Sequence, residues 1–82
     1  MFRILTEDKN RDGILGILDS HVDGYTVTST QGSWKGQREN SLAIDLIDTP
    51  RETVFAIAQA IKVANKQESV LVYEVPVTST FV

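Results

Sequence analysis

Hydrophobic and polar positions along the chain follow two periods, one typical of strands and one typical of helices. Alternation with a period of two predicts strands over residues 2–6, 25–31, 39–47 and 69–75. Apolar residues at helical spacing predict one helix after the polar stretch 7–12 and a second helix after residue 50. The predicted order is therefore strand, helix, strand, strand, helix, strand.

The first helix carries an apolar face and two glycines. The face is formed by Ile14, Leu15, Ile17, Leu18, His21 and Val22. Gly13 and Gly16 each weaken a helix by about 1 kcal/mol relative to alanine. Two explanations stay open, namely close packing of the helix on the sheet and a bare backbone beside a ligand.

The second helix has the clearest start signal in the chain. Thr49 is predicted to cap the helix, with Pro50 at the first helical position and Glu52 closing a capping box. Its apolar face is formed by Val54, Ile57, Ala58, Ile61 and Ala64.

Right-handed crossovers fold this order into one domain over residues 1–82, a four-stranded antiparallel sheet with both helices on one face. This α+β architecture is the ferredoxin-like βαββαβ plait. Pro76 has no backbone N–H and so cannot donate a hydrogen bond to a neighbouring strand. The last strand is therefore expected to lie at an edge of the sheet or to end at Pro76. The uncovered sheet face is expected to carry some of Leu5, Ala43, Ile47, Leu71, Tyr73 and Val75, or their neighbours one register over. An apolar uncovered face predicts a subunit interface.

Composition excludes several classes of function. The chain has 82 residues, no cysteine and one histidine, which excludes disulfides and thiolate sites and argues against a metal centre. The net charge of −3 and the absence of a basic stripe argue against binding to a nucleic acid duplex. The apolar runs are too short for a membrane span, and no secretory leader opens the chain. We therefore expect a cytoplasmic protein without a membrane partner.

Residues 32–36 are predicted to turn the chain between the middle strands, because Gly32 and Gly36 punctuate this stretch. The hairpin segment 32–41 around this turn concentrates the residues that suit chemistry. Trp34 offers a surface on which an adenine ring can stack. Lys35 and Arg38 suit a carboxylate or a phosphate. Glu39 suits a general base, or a contact to an amine or sulfonium. The alternative is a structural hairpin, in which Trp34 packs over a sheet edge and the charges lie in water.

Other polar residues point to structure more than to function. His21 is expected to be a half-buried residue of the helix face, and Asp48 is expected to belong to the turn before Thr49. Residues 67–69 are expected to form a polar turn. The sequence contains no nucleophile–base–acid set, no dinucleotide fingerprint and no Walker loop.

A longer pattern resembles small phage and bacterial proteins of PII-like plait fold, among them the phage-encoded S-adenosylmethionine lyases. The matching residues are Gly24-Tyr25-Thr26-Val27, Gly32 with Trp34, Glu39 with Ser41, and the run from Gln67 to Tyr73. The resemblance covers the chain from Phe2 to Val75. The chain has tryptophan at position 34 where the lyases tend to have tyrosine, a shorter spacing to the acid, and no C-terminal extension.

The resemblance implies a PII-like trimer with the ligand at the subunit interface. The lyases convert S-adenosylmethionine to 5′-methylthioadenosine and homoserine lactone without a cofactor, because the substrate's own carboxylate attacks its γ-carbon. Glu39 would be the catalytic acid. The expected ligand-binding residues are Tyr25, Thr28, Thr30, Gly32, Trp34, Lys35, Gly36, Arg38 and Ser41.

Three functions remain open on this pattern. The first is a phage lyase that depletes the methyl donor of host restriction–modification systems. The second is an oligomeric protein that sequesters a nucleotide signal of an antiphage response, which Lys35 and Arg38 beside Trp34 favour because two cations suit phosphates. The third is a PII-like regulator that binds a small molecule, or a structural protein, with an unknown ligand. The first two imply an adenosyl or nucleotide-type ligand, and a homo-oligomer, of trimeric form, is expected.

Overall fold

The computed structural model describes residues 1–82 and confirms the ferredoxin-like plait. The elements are β1 (Phe2–Glu7), α1 (Arg11–His21), β2 (Thr26–Trp34), β3 (Gln37–Leu46), α2 (Arg51–Ala64) and β4 (Leu71–Glu74). The strands form one antiparallel sheet in the order β2-β3-β1-β4. As predicted from Pro76, β4 lies at an edge of the sheet.

Both helices pack on one face of the sheet, and the core lies between the two layers. Strand residues alternate between the faces, so every second position of β1 and β3 enters this core. The core residues are Phe2, Ile4, Ile14, Leu18, Leu42, Ile44, Leu46, Val54, Ile57, Ala58 and Ile61. The predicted apolar face of α2 is therefore buried, except for the exposed Ala64.

The opposite face of the sheet is uncovered, and we call it the open face. Leu5 pairs with Ala43 on one side and with Leu71 on the other, so three apolar side chains lie in a row across it. Beside them, the Arg3 guanidinium donates to Asp45 Oδ2 at 3.1 Å and to the Tyr73 hydroxyl at 3.3 Å. The hydrogen bond to Asp45 is the main reason that the pKa of Arg3 is raised. The open face is thus apolar at its centre, with one ion pair beside this row.

The turn between β2 and β3 is shorter than predicted. β2 continues through Trp34, because Gly32 and Ser33 pair with Glu39 and Arg38 in the ladder. Only residues 35 and 36 form the turn, with positive φ angles of 50° and 78°. Two consecutive positive φ angles match the twist of a two-residue hairpin. The prediction of a turn over residues 32–36 was therefore wrong in extent.

The capping box predicted for α2 is also wrong. Pro50 occupies the cap position with φ −59° and ψ 145°, and no side chain caps the helix. Thr49 therefore lies one residue outside, where its hydroxyl donates to the carbonyl of Ile47 at 3.2 Å. His21 departs from its prediction as well, because it is exposed at the end of α1 rather than half-buried.

The two glycines of α1 occupy different surroundings, and neither supports close packing on the sheet. A Cβ atom at Gly13 would lie 2.3 Å from Nδ2 of Asn10. A Cβ atom at Gly16 would meet nothing within 4 Å. Gly13 therefore makes room for the Asn10 side chain, whereas Gly16 only weakens the helix.

This difference predicts opposite effects of one substitution at two neighbouring sites. Gly16→Ala should raise the free energy of unfolding by about 0.5–1 kcal/mol, because alanine removes the helix penalty of glycine. Gly13→Ala should lower it, because the new methyl group displaces the Asn10 carboxamide and leaves the buried Oδ1 atom of Asn65 without its hydrogen bond, a loss of about 1–3 kcal/mol that outweighs the helix gain. Urea unfolding of both variants measures the difference. Equal stabilisation by both would contradict this account of Gly13.

Candidate functional site

A shallow groove of about 400 Å³ lies where the open face meets the β2–β3 hairpin and the segment before β4. We call it the hairpin groove. Its lining residues are Leu5, Thr6, Glu7, Trp34, Glu39, Ser41, Gln67, Glu68, Ser69 and Leu71. The groove therefore joins three separate parts of the sequence.

The register of the sheet explains why these residues meet. Glu39 and Ser41 are two residues apart on β3, so both side chains lie on the open face. Ser41 pairs with Glu7 of β1, and Glu39 pairs with Gly32 of β2. With no side chain at Gly32, the carboxylate of Glu39 has no neighbour directly across the hairpin.

Negative charge dominates the groove. Glu7, Glu39 and Glu68 line it together, and no cation is among the lining residues. Lys9 pairs with Glu7 at 3.1 Å. Glu39 and Glu68 take part in none of the ion pairs of the structure. Two carboxylates therefore remain uncompensated, which favours a cationic ligand and disfavours a polyphosphate.

Trp34 supplies the aromatic surface of the groove. Its side chain is 65% exposed. The Lys35 ammonium lies 5.7 Å from the centroid of its ring, within the range of a cation–π contact. Leu71, also exposed, and the half-buried Leu5 add apolar surface below it. An aromatic ring, aliphatic side chains and free carboxylates thus border one concavity.

Several predicted ligand-binding residues come together here. Trp34, Glu39 and Ser41 line the groove, and Gly32 faces Glu39 across the hairpin. Thr28 and Thr30 lie further along β2, opposite Ala43 and Ser41, and so belong to the same face. Lys35 and Gly36 form the turn at the tip.

Seven of the ten predicted site residues do not line the groove, and two of these seven lie apart from it altogether. Arg38 pairs with Ser33 and falls on the opposite pleat from Glu39, so its guanidinium is on the helix side of the hairpin. Tyr25 precedes β2 at the far end of the sheet, where its hydroxyl donates to Asp19 at 2.6 Å. This hydrogen bond and partial desolvation raise the pKa of Tyr25.

Sequence analysis did not single out Leu5, Glu7 and Glu68 as site residues. Glu68 and its neighbours are predicted to form a polar turn, and the structure places this connection between α2 and β4 as one wall of the groove. The signal for Glu7 was the register of β1 against β3, which sets Glu7 opposite Ser41. That register follows only once the strand order is known.

The remaining features of the surface offer less chemistry. The depression at the far end of the sheet is lined by Asp19, His21 and Asp48 among others. There the His21 Nδ1 atom lies 2.8 Å from the carbonyl oxygen of Ile17 and is thus engaged locally. No group of three metal-ligating side chains occurs in the structure. Neither helix has the length and hydrophobicity needed to cross a membrane.

Comparison of the chain with protein-family models and with curated protein sequences gave no match.

Proposed function

We propose that the protein is an S-adenosylmethionine lyase whose substrate binds in the hairpin groove. The observation that carries this proposal is that two carboxylates without an ion-pair partner, Glu39 and Glu68, lie beside the exposed ring of Trp34. S-adenosylmethionine combines an adenine ring with an ammonium and a sulfonium, so its parts complement this lining. The sequence resemblance to the phage lyases supports the same ligand.

The chemistry assigns a position to two parts of the substrate, the adenine and the α-ammonium. Adenine stacks on Trp34, as purines do on aromatic side chains. Glu39 holds the α-ammonium rather than the sulfonium. The sulfonium loses its charge during the reaction, so a carboxylate beside it would stabilise the substrate more than the transition state. The ammonium stays charged throughout and is therefore the better anchor.

The reaction needs no nucleophile from the protein. A carboxylate oxygen of the substrate attacks its own γ-carbon, the carbon–sulfur bond breaks, and its electron pair goes to sulfur. A neutral thioether and a five-membered lactone result, with no proton transferred. Holding a substrate in a folded-back conformation can accelerate such a ring closure by a large factor. A groove that positions the substrate is consistent with a site that has no catalytic triad.

A second copy of the chain would complete the site. The ladder with β1 ends at the Glu7–Ser41 pair, so residues 31–40 project beyond the rest of the sheet. The groove is shallow, and the open face beside it is apolar at its centre. Packing of these surfaces in a trimer would cover the groove and exclude water from the reacting atoms. A phage protein with this activity would deplete the methyl donor of host restriction–modification.

Sequestration of a nucleotide signal is the second candidate. It is favoured by Lys35, whose ammonium lies next to Trp34 and would contact a phosphate at the mouth of the groove. Arg38 lies on the other face of the hairpin, and the groove itself is acidic. We therefore rank this candidate below the lyase.

Turnover tests the proposal. The purified protein is incubated with a large excess of S-adenosylmethionine, and the products are separated by chromatography. We expect 5′-methylthioadenosine and homoserine lactone in amounts that grow with time and with protein. Unchanged substrate together with tight binding of a cyclic oligonucleotide would instead support sequestration.

Trp34 provides a separate prediction about binding. Trp34→Ala should weaken the binding of an adenosyl ligand about 5- to 150-fold, since stacking of a base contributes about 1–3 kcal/mol. Trp34→Phe keeps an aromatic ring and should retain most of the affinity. Calorimetric titration with S-adenosylhomocysteine, which keeps the adenine and the ammonium but has no sulfonium to react, measures this effect in wild type and in both variants. Equal affinity in wild type and Trp34→Ala would show that the ring lies outside the binding site.

A further inference from the structure

A cluster of polar side chains lies beneath the wall of the groove that precedes β4. We call Thr6, Asn10, Asn65 and Gln67 the amide network. Thr6 and Asn65 are the two polar residues among the 14 buried ones, with 3% and 7% exposure. Burial of polar groups is unfavourable unless they are hydrogen-bonded, and no buried side-chain polar atom here lacks a partner. The buried members of the network are therefore fully hydrogen-bonded within the protein.

Asn65 is the centre of the network. Its Oδ1 atom accepts from Asn10 Nδ2 at 3.0 Å. Its Nδ2 atom donates to the carbonyl of Lys9 and to Gln67 Oε1, both at 3.3 Å. Asn65 ends α2, whereas Lys9 and Asn10 precede α1, so one side chain ties the end of one helix to the start of the other.

Gln67 carries the network to the groove. Its Oε1 atom also accepts from the Thr6 hydroxyl at 2.8 Å, which ties it to β1. Its Nε2 atom donates to the carbonyl of Ser69 at 3.3 Å. The Gln67 side chain therefore links the backbone on the two sides of Glu68. Glu68 and Ser69 both line the groove.

We propose that Asn65 and Thr6 are positioning residues for the groove. Acting through Gln67, they hold residues 67–69 so that the carboxylate of Glu68 stays beside Glu39 and Trp34. Residues 67–70 belong to no helix or strand, so few backbone hydrogen bonds fix this wall. Gly13 belongs to the same arrangement, because its missing Cβ leaves space for the Asn10 carboxamide. The effect on catalysis rests on the proposed lyase function, whereas the effect on the segment does not.

The test uses two variants that remove donors at almost constant volume. Thr6→Val removes the hydroxyl that donates to Gln67 Oε1, and Thr6→Ser keeps this hydroxyl. Asn65→Asp removes both donors of the central side chain. Gln59→Glu makes the same kind of change on the exposed side of α2 and serves as the control. The readouts are the backbone NMR order parameters of residues 67–69 and the kcat/KM for S-adenosylmethionine.

We expect the order parameters of residues 67–69 to fall in Thr6→Val and in Asn65→Asp, towards the values of about 0.6 or less typical of flexible backbone. Those of α2 should stay unchanged, and kcat/KM should fall about tenfold. Thr6→Ser and Gln59→Glu should resemble wild type. The inference would be overturned if the order parameters of residues 67–69 stayed unchanged in Thr6→Val and Asn65→Asp. It would also be overturned if these order parameters fell while kcat/KM stayed at the wild-type value. A wild type without turnover would instead refute the lyase proposal and leave the order parameters to decide the role of the network.

Discussion

Glu39→Gln is expected to lower the kcat/KM for S-adenosylmethionine by about 10- to 150-fold, because a hydrogen bond to a charged group contributes about 1.5–3 kcal/mol. The substitution keeps the shape of the side chain and removes its charge, so the α-ammonium loses its anchor. Glu39 is exposed and contributes nothing to the core, so stability should remain close to wild type. Steady-state kinetics and thermal unfolding together measure both effects.

The control for this variant is Glu52→Gln. Glu52 is an equally exposed acid in the first turn of α2, and it is not among the lining residues of the groove. Its substitution should leave turnover unchanged. If Glu52→Gln and Glu39→Gln lost the same activity, the cause would be net charge rather than a contact in the groove. Full activity of Glu39→Gln would remove Glu39 from the mechanism.

Leu71→Glu is expected to dissociate the proposed trimer into monomers. Leu71 is 55% exposed and lies directly opposite Leu5 at the apolar centre of the open face. A carboxylate buried there without a partner would cost about 3–5 kcal/mol, which weakens assembly by about 150-fold or more. Turnover should disappear along with the assembly, because the groove would be left open and its lining residue Leu71 would be replaced by an acid, so the mass of the particle is the readout that tests the interface. Light scattering at micromolar protein concentration measures the mass of the particle and so distinguishes trimer from monomer.

Val63→Glu is the matched control. Val63 is 66% exposed on α2, and therefore belongs to the helix layer rather than to the open face. Its substitution adds the same charge to the same kind of exposed apolar position. We expect it to keep both the assembly and the activity. A wild-type protein that is monomeric by light scattering would contradict the interface, whatever the variants do.

The fold could be predicted from the sequence because its strands alternate clearly. Ile4 and Ile44 lie beneath the helices, whereas Leu5 and Leu71 lie on the open face, as a period of two requires. The capping of α2 could not be predicted, because the choice between Thr49 and Pro50 depends on backbone angles at the entry to the helix. Local propensity gave the element but not its first residue.

The candidate site could be predicted only in part. Strand periodicity already indicates that Glu39 and Ser41 share one face, whereas the face of Trp34 follows only because β2 continues through that residue. The same periodicity excludes Arg38 from that face, but only when the turn is known to be two residues long. Glu7 reaches the groove from a distant strand through the register of the sheet.

The amide network was beyond sequence analysis for the same reason. Asn10 and Asn65 are 55 residues apart along the chain, and their hydrogen bond depends on how α1 and α2 pack together. Neither residue lies in a recognisable motif. The glycine at position 13 was the one sequence signal of this contact, and its cause became clear only from the position of the Asn10 side chain.

The central claim is that the groove holds a substrate that reacts with itself, so the origin of the oxygen in the product is the most direct measurement. The reaction is run in water enriched in oxygen-18, and the amino acid product is analysed by mass spectrometry. We predict homoserine lactone without the label, because the attacking oxygen comes from the substrate's own carboxylate. Homoserine labelled at its γ-hydroxyl would mean attack by water, and would contradict the account.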